Sequence, residues 1–255
     1  MSGLVVLCGD ERHAKWCAST LCLENPMAVH AIVCDGDTNI DSNFGYVSKD
    51  RKDATRAARL FKYADEDQVV ELIQDSGATT VVCLWWPHIL KKVLDLGVRV
   101  INTHPSYLPF NRGKYPYYWS IVEGTPFGVT IHLVERGIDT GPILWQEEIE
   151  VKPTHTGGDL YRAGCYRMTY LVIDHARDIV NENFPEATPQ DDSIATSYLA
   201  KDLDRERVLE LDDYEHVGCV VQDLRARTFD NTWSGRLVYV DGKRYRIHLK
   251  LVEED

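Results

Sequence analysis

A short polar stretch directly after an apolar run holds the residue types that could do chemistry in this chain. Residues 102–113 read Asn-Thr-His-Pro-Ser-Tyr-Leu-Pro-Phe-Asn-Arg-Gly, and residues 98–101 before them are typical of a buried parallel strand. Asn102 and His104 stand two residues apart, so both side chains point to the same side of an extended backbone. The pair offers an amide donor for a developing oxyanion and an imidazole that titrates near neutral pH. Taken singly, an Asn at a strand end also bonds its own backbone, and a lone His is often structural.

A carboxylate that could complete such a site lies in a second turn. Asp139 stands between two glycines in Gly-Ile-Asp-Thr-Gly, residues 137–141. A carboxylate on a glycine-flanked turn could approach His104 and favour the charged form of its imidazole. An Asp in such a turn also forms an Asx-turn, and the sequence by itself does not show that the two segments meet.

Aromatic and basic residues near both segments could contact ligands. The run Leu-Trp-Trp-Pro at 84–87 could line a pocket for a flat heterocycle, although paired Trp residues are as often core. Arg112 and Lys114 could contact phosphates, and the tyrosine-rich stretch that begins at Tyr115 could stack on a base or sugar. The same residues are also consistent with an ordinary surface loop that leads into a helix.

Short apolar strands alternate with amphipathic segments, which predicts βαβ units and a mostly parallel sheet. The predicted strands are residues 4–8, 28–34, 79–84, 98–101, 128–134 and 143–151, and the predicted helices are 13–23, 53–63, 66–76 and 156–183. Asp241-Gly242 between the runs 236–240 and 245–252 is a strong hairpin signal. The fold class is therefore α/β: a Rossmann-like, mostly parallel sheet flanked by helices, with a small C-terminal α+β element that contains a β-hairpin.

The organisation along the chain predicts a catalytic domain at 1–184, a linker at 185–198 and a small C-terminal domain at 199–255. The linker is inferred from two prolines and several small polar residues between 185 and 197.

Composition limits the classes of partner. Forty acidic residues against twenty-eight basic ones give a net charge of −12, the opposite of the balance in proteins that track nucleic-acid phosphates. No apolar run approaches ~20 residues, so we expect neither a membrane span nor a membrane partner. Seven cysteines are scattered without a Cys-x-x-Cys pair, and the first residues lack the features of a signal peptide, so we expect a cytoplasmic protein. The turn after the first strand lacks Gly-x-Gly-x-x-Gly, and no metal-ligand spacing is seen, so no metal is predicted.

Three segments together resemble the formyltransferases that use 10-formyltetrahydrofolate as cosubstrate. They are Asn-x-His-x-Ser-x-Leu-Pro-x-x-Arg-Gly at 102–113, Gly-Val-Thr-Ile-His at 128–132 and Gly-Ile-Asp-Thr-Gly at 137–141. The resemblance runs from about residue 4 to residue 151. It implies direct transfer without a metal: an uncharged amine attacks the formyl carbon, an amide and a protonated imidazole stabilise the oxyanion, and a carboxylate holds the imidazole.

The resemblance also assigns roles to residues of this chain. The catalytic residues would be Asn102, His104 and Asp139. The pterin of the folate would lie against six residues, largely through backbone groups: Trp86, Pro87, Ile89, Arg136, Ile138 and Thr140. The acceptor would be held by Arg112, Lys114 and Tyr115.

Branches of this family differ in the acceptor that receives the formyl group. Members that formylate methionyl-tRNA typically carry a larger, basic C-terminal domain, whereas residues 201–255 here hold ten basic and thirteen acidic residues. Members that formylate glycinamide ribonucleotide usually lack the extra hairpin. The resemblance therefore favours the sugar N-formyltransferases, which are commonly homodimers and act on a nucleotide-linked amino sugar. Two hypotheses of different classes stay open: a hydrolase that lets water take the formyl group from the folate, and a silent binding module on this fold.

Overall fold

The computed structural model describes residues 3–35, 58–203, 209–210, 214–229 and 235–253. The strands are β1 (Leu4–Cys8), β2 (Val29–Cys34), β3 (Arg59–Lys62), β4 (Thr80–Leu84), β5 (Arg99–His104), β6 (Arg112–Gly113), β7 (Phe127–Leu133), β8 (Ile143–Ile149), β9 (Ser197–Tyr198), β10 (Arg236–Val240) and β11 (Lys243–Ile247). The α-helices are α1 (Arg12–Glu24), α2 (Glu66–Ser76), α3 (Lys91–Asp95), α4 (Pro116–Glu123), α5 (Gly157–Asp174), α6 (Ala176–Val180) and α7 (Val217–Ala226).

Within the described residues, seven strands form one sheet in the order β3-β2-β1-β4-β5-β7-β8. The pairs from β3 to β5 are parallel, and β7 runs antiparallel to β5. Every residue of β1 and β4 is buried, as expected for central strands of a sheet covered on both faces. With the hairpin β10–β11, this architecture confirms the predicted α/β fold class.

The chain forms two compact units, each with its own core. The first unit combines Met1–His104, Thr130–Gln146 and Tyr166–Gln190, and the second combines Pro105–Val129, Glu147–Cys165 and Asp191–Asp255. The core of the first unit contains Val5, Leu7, Ala31, Val33, Val69, Leu72, Ile73, Ala78, Val81, Cys83, Leu90, Val93 and Val100. The core of the second unit contains Tyr118, Ile121, Phe127, Leu160, Leu203 and Ala226. The predicted domain boundaries at 184 and 199 stay a prediction.

Local sequence explains helix α2, whose predicted bounds match those observed. Asp65 caps its start, because the carboxylate accepts a hydrogen bond of 2.9 Å from the backbone N–H of Gln68. Glu66 and Asp67 add negative charge to the first turn, where the helix dipole favours it. Gly77 ends the helix with φ 66°, a left-handed conformation that glycine adopts without a steric penalty.

Two predicted helices were wrong in part. Residues 53–57 of the first lie outside the described residues, but Arg59–Lys62 form the edge strand β3, which pairs with β2. Backbone pairing along an open sheet edge outweighs a weak helical pattern in so short a segment. The second, predicted over 156–183, is two helices separated at His175, whose ring stacks on Trp145 at 4.4 Å.

The hairpin predicted from the Asp-Gly pair is present in the structure. Asp241 and Gly242 both have positive φ, 49° and 73°, between the antiparallel strands β10 and β11. Positive φ at both central residues matches the right-handed twist of the flanking strands, which is why this dipeptide favours two-residue hairpins. No helix among the described residues is both long and apolar enough to cross a bilayer.

A buried carboxylate joins three elements of the second unit. Asp223 on α7 accepts hydrogen bonds from Tyr118 (2.5 Å) and Tyr214 (2.8 Å), and it pairs with Arg227 at 2.8 Å and Arg236 at 3.2 Å. Burial by itself would raise the pKa of Asp223, but the Tyr118 hydrogen bond and the Arg227 charge hold that pKa below its ordinary value. The hairpin strand β10 is therefore tied to α7 by the Arg236–Asp223 pair, and α4 is joined to the same carboxylate by the Tyr118 hydrogen bond.

We expect Asp223→Ala to lower the free energy of unfolding by about 3–5 kcal/mol, because it leaves two buried guanidinium groups without their carboxylate. Chemical denaturation measures the loss, and Asp67→Ala is the matched control at an exposed pair, where the change should be much smaller. Since the pKa of Asp223 is depressed in the folded state, its contribution is present above about pH 4 and lost below it. A difference from wild type that persists unchanged in acid would contradict this account.

Candidate active site

Four polar side chains share one face where β5 meets β7. Antiparallel pairing places Asn102 opposite His132 and His104 opposite Thr130. Residues two apart on a strand, and residues directly opposite on its partner, point to the same face of a sheet. Thr103, between the two, points to the other side and bonds the Cys83 carbonyl at 3.2 Å. The strand therefore continues through Asn102 and His104, beyond the predicted end at residue 101.

The structure brings the predicted catalytic residues together. Asp139 Oδ2 lies 3.4 Å from His104 Nδ1, and Asp139 Oδ1 lies 3.6 Å from His132 Nε2. Asn102 Nδ2 lies 3.4 Å from the same His132 nitrogen. The two imidazoles are nearly buried, with exposed fractions of 5% for His104 and 1% for His132. Electrostatic interactions are stronger in such a water-poor setting than at an exposed surface.

The turn that carries Asp139 is closely packed at both ends. Asp139 has φ 52°, a left-handed conformation that Asp tolerates better than most residues. A Cβ on Gly137 would overlap the Thr140 side chain, and a Cβ on Gly141 would overlap the carbonyl of Leu133. Glycine is therefore required at Gly141, where a Cβ would meet backbone, and favoured at Gly137, where it would meet a side chain. The turn holds the carboxylate towards the polar face of β5 and β7.

His132 is a candidate site residue that the sequence reasoning missed. Its Nδ1 lies 2.7 Å from the Leu133 carbonyl oxygen, which can only accept, so Nδ1 carries a proton. The neutral ring then accepts from the Asn102 amide through Nε2, and the charged ring donates from Nε2 to Asp139. The period-two pattern in 128–134 was a signal for His132, but its place opposite Asn102 depends on which strands pair.

Comparison with known proteins assigns this chain to a family. The family model described as formyl transferase matches residues 29–167, more than half of the chain. The chain belongs to the formyl transferase family. The matched residues include Asn102, His104 and Asp139.

Individual relatives differ in what they formylate. The dTDP-4-amino-4,6-dideoxyglucose formyltransferase of Mycobacterium tuberculosis is 34% identical over 151 residues, which cover 56% of this chain and 64% of that relative. The chain thus spans just under two thirds of that relative's length. The methionyl-tRNA formyltransferase of Deinococcus radiodurans is 35% identical over 127 residues, covering 49% of this chain and 39% of its own. An N-formyltransferase from Helicobacter canadensis, solved with folinic acid and dTDP-3-aminofucose, shares the fold with a TM-score of 0.71 at 18% identity, covering 95% and 85% of the two chains.

The first three residues expected to hold the pterin follow strand β4. Trp86 is half-buried and packs edge-on against Tyr63 at 4.8 Å. In the described part of the chain, its indole Nε1 is buried and has no hydrogen-bond partner. A buried N–H without a partner is costly, so this donor suits a ligand acceptor. Pro87 and Ile89 are exposed, Ile89 by 70%.

The other three lie in or beside the Asp139 turn. Ile138 is 52% exposed and Thr140 is half-buried. Arg136 is exposed and pairs with Asp95 at 2.6 Å, a surface ion pair that a ligand could displace at small cost. Exposed apolar residues such as Ile138 are available to cover a flat ring, and the role of all six in folate binding stays a prediction.

The residues expected to bind the acceptor belong to the second unit. Arg112 is buried and pairs with Asp192 at 2.8 Å, and its backbone N–H donates to the Thr196 carbonyl at 2.9 Å. Lys114 is exposed, and Tyr115 is half-buried with φ 61° directly before α4. The carboxylate already engages the Arg112 guanidinium, so a phosphate would have to share it with Asp192. Among the described residues, no group of three or more His, Cys, Asp or Glu could hold a metal ion.

The geometry predicts that two histidines of the first unit, when uncharged, are opposite tautomers. His132 should carry its proton on Nδ1, which faces the Leu133 carbonyl, and His88 should carry it on Nε2, which lies 3.0 Å from Asp35 Oδ1. ¹⁵N chemical shifts of the imidazole nitrogens distinguish the two forms, with His132→Asn and His88→Asn assigning the signals. An Nε2–H tautomer at His132 would contradict the arrangement described above.

Proposed function

We propose that this protein transfers the formyl group of 10-formyltetrahydrofolate to the amino group of a nucleotide-linked amino deoxysugar. The observation that carries the proposal is the position of Asp139, within 3.4 Å of His104 and 3.6 Å of His132. A carboxylate there favours a charged imidazole beside the Asn102 amide, and such a pair suits an oxyanion on a formyl carbon. Membership of the formyl transferase family supports the reaction class.

The first step forms the new bond. The uncharged amine of the acceptor attacks the formyl carbon, and the carbonyl oxygen becomes an oxyanion. The Asn102 amide and protonated His104 stabilise that oxyanion through hydrogen bonds and charge. Because His104 Nδ1 faces Asp139, we assign Nε2 to the carbonyl oxygen.

The second step breaks the old bond. The tetrahedral intermediate collapses, the bond between the formyl carbon and N10 of the folate breaks, and N10 takes up the proton that the amine loses. Asp139 and His104 relay that proton, through water where the distance requires it. The products are tetrahydrofolate and a formamido sugar, so atoms and charge balance without a metal.

The binding roles follow from exposure and chemistry. The unpartnered Trp86 indole and the exposed Ile89 and Ile138 suit a pterin ring, which offers both acceptors and an apolar face. Lys114 and Tyr115 suit a nucleotide, with Arg112 held near them by the β6–β9 pairing. The folinic acid and dTDP-3-aminofucose bound by the Helicobacter canadensis neighbour support these ligand classes.

Charge favours a sugar acceptor over methionyl-tRNA. Binding of tRNA depends on Lys and Arg that neutralise phosphates, whereas this chain carries a net charge of −12. The amino-sugar formyltransferase of Mycobacterium tuberculosis, which is 34% identical, supports the same choice. We propose also that the protein acts in the cytoplasm as a homodimer, which analytical ultracentrifugation of the whole chain would test.

A product assay tests the function. The protein is incubated with 10-formyltetrahydrofolate and a panel of thymidine-, guanosine- and uridine-diphosphate amino sugars, and mass spectrometry shows which sugar gains one formyl group. We expect one nucleotide sugar to be formylated and methionyl-tRNA to be unchanged. Tetrahydrofolate release without a formylated product would indicate the hydrolase instead, and formylated methionyl-tRNA would overturn the acceptor.

His104→Asn and Asp139→Asn should each lower kcat by about a hundredfold or more, because the first removes the imidazolium that stabilises the oxyanion and the second removes the carboxylate that supports that imidazolium. Asp139→Asn is isosteric and His104→Asn keeps a smaller polar side chain, so circular dichroism should show that both variants retain the fold. His155→Asn, at a histidine outside the site, is the control and should keep wild-type kcat. Near-wild-type turnover of His104→Asn would remove His104 from the mechanism.

A further inference from the structure

One side chain outside the predicted site holds both sides of the Asp139 turn. The Nε2 of Gln190 donates to the Asp139 carbonyl oxygen at 2.9 Å and to the Gly141 carbonyl oxygen at 2.6 Å. A primary amide nitrogen carries two protons, so one group can serve both carbonyls at once. Gln190 thus spans the turn across Thr140 by bonding two of its backbone carbonyls.

Backbone hydrogen bonds also hold the segment that carries Gln190 to the residues just after the turn. Ile143, at the start of β8, and Thr188 exchange two backbone hydrogen bonds of 2.8 Å each. Residues 188–190 therefore lie beside residues 139–143, and an isolated antiparallel β-bridge joins Thr188 to Ile143. The sequence predicts a linker over residues 185–198, but the first part of that segment contributes to the order of this turn.

Backbone order matters here because of the conformation of Asp139. Its φ of 52° is a left-handed value that strains a residue with a Cβ. Contacts elsewhere must offset the strain at Asp139, because the direction of its carboxylate depends on this backbone conformation. Carbonyl groups pointing to one donor fix the peptide planes that follow Asp139 and Gly141. The first of these planes sets the backbone conformation of Asp139, and hence the direction of its side chain.

We propose that Gln190 is a positioning residue, which keeps the Asp139 carboxylate within reach of His104 and His132 by bonding the turn backbone. The proposal rests on the proposed function for its kinetic consequences, but its structural part is independent of the reaction. Gln190 does not touch a reacting atom in this assignment. It acts only through the turn.

The chemistry of the amide defines the variants that test this role. Gln190→Leu keeps the size and removes both donors, and Gln190→Asn keeps the amide on a shorter stem. Gln190→Glu replaces the donor by a carboxylate that would repel both carbonyl oxygens. Ser193→Ala is the matched control, since the Ser193 hydroxyl donates to the Asp191 carboxylate on an exposed stretch.

We expect Gln190→Leu to lower kcat about tenfold to a hundredfold while KM for each substrate changes much less, because a misplaced carboxylate impairs transfer more than binding. Gln190→Glu should lose at least as much, and Ser193→Ala should match wild type. Wild-type kcat in both Gln190→Leu and Gln190→Glu would overturn the proposal.

A double-mutant cycle separates positioning of Asp139 from general loss of structure. If Gln190 acts through the carboxylate, adding Gln190→Leu to Asp139→Asn should lower kcat little further, because the group it positions is already changed. An equal fold-loss in wild-type and Asp139→Asn backgrounds would show that Gln190 acts by another route and would overturn the proposal.

Hydrogen exchange distinguishes failure of this proposal from failure of the proposed function. In Gln190→Leu, the amides of residues 137–141 should exchange faster at an unchanged melting temperature, and in Ser193→Ala they should not. If wild type transfers no formyl group to any acceptor, the function is wrong, but faster exchange would still support the role of Gln190. Unchanged exchange in Gln190→Leu would refute that role whatever the activity.

Discussion

A carboxylate held between two nearly buried imidazoles is the interaction on which the rest of this site depends. Removing an ionised carboxylate from water is costly unless charge and hydrogen bonds replace the lost hydration. Here His104 and His132 face the two oxygens of Asp139, at 3.4 Å and 3.6 Å. These contacts offset part of the cost of removing the Asp139 side chain, which is 15% exposed, from water. The stability of the site therefore depends on the same groups that the proposed reaction uses.

The sheet provides the alignment that this interaction needs. Strand β5 pairs with β4 in parallel and with β7 in antiparallel orientation, so it joins the two parts of the sheet. Only the antiparallel register sets His132 opposite Asn102, and a slip by one residue would turn His132 to the other face. Thr103 resists such a slip on the β4 side, because its hydroxyl accepts from the Trp85 N–H at 3.1 Å and donates to the Cys83 carbonyl. The rigid centre of the fold thus supports the chemically important end of β5.

The sequence predicts what depends on local pattern and fails where distant segments meet. The sheet, helix α2 and the hairpin follow from periodicity, caps and an Asp-Gly turn, and the trio of Asn102, His104 and Asp139 follows from spacing and resemblance. The contribution of His132 was missed because it arises from strand pairing. Residues 59–62 were wrongly assigned to a helix because the free edge of β2 decides their conformation. The role of residues 188–190 has no local signal, since their hydrogen bonds join segments about fifty positions apart.

In the Asp139 turn, residues 137–141, closely constrained residues alternate with residues whose side chains are partly exposed. Gly141 is required by the close approach of the Leu133 carbonyl, and a Cβ on Gly137 would overlap the Thr140 side chain. Asp139 directs its carboxylate from a left-handed conformation. Ile138 and Thr140, between them, leave their side chains at least partly exposed. Gln190 binds the turn through two backbone carbonyls, and the two imidazoles contact the Asp139 carboxylate. The exposed parts of the intervening side chains stay available for a ligand. A contact to the backbone therefore positions the carboxylate without using the intervening side chains. Those side chains can differ to suit a ligand while the carboxylate keeps its place.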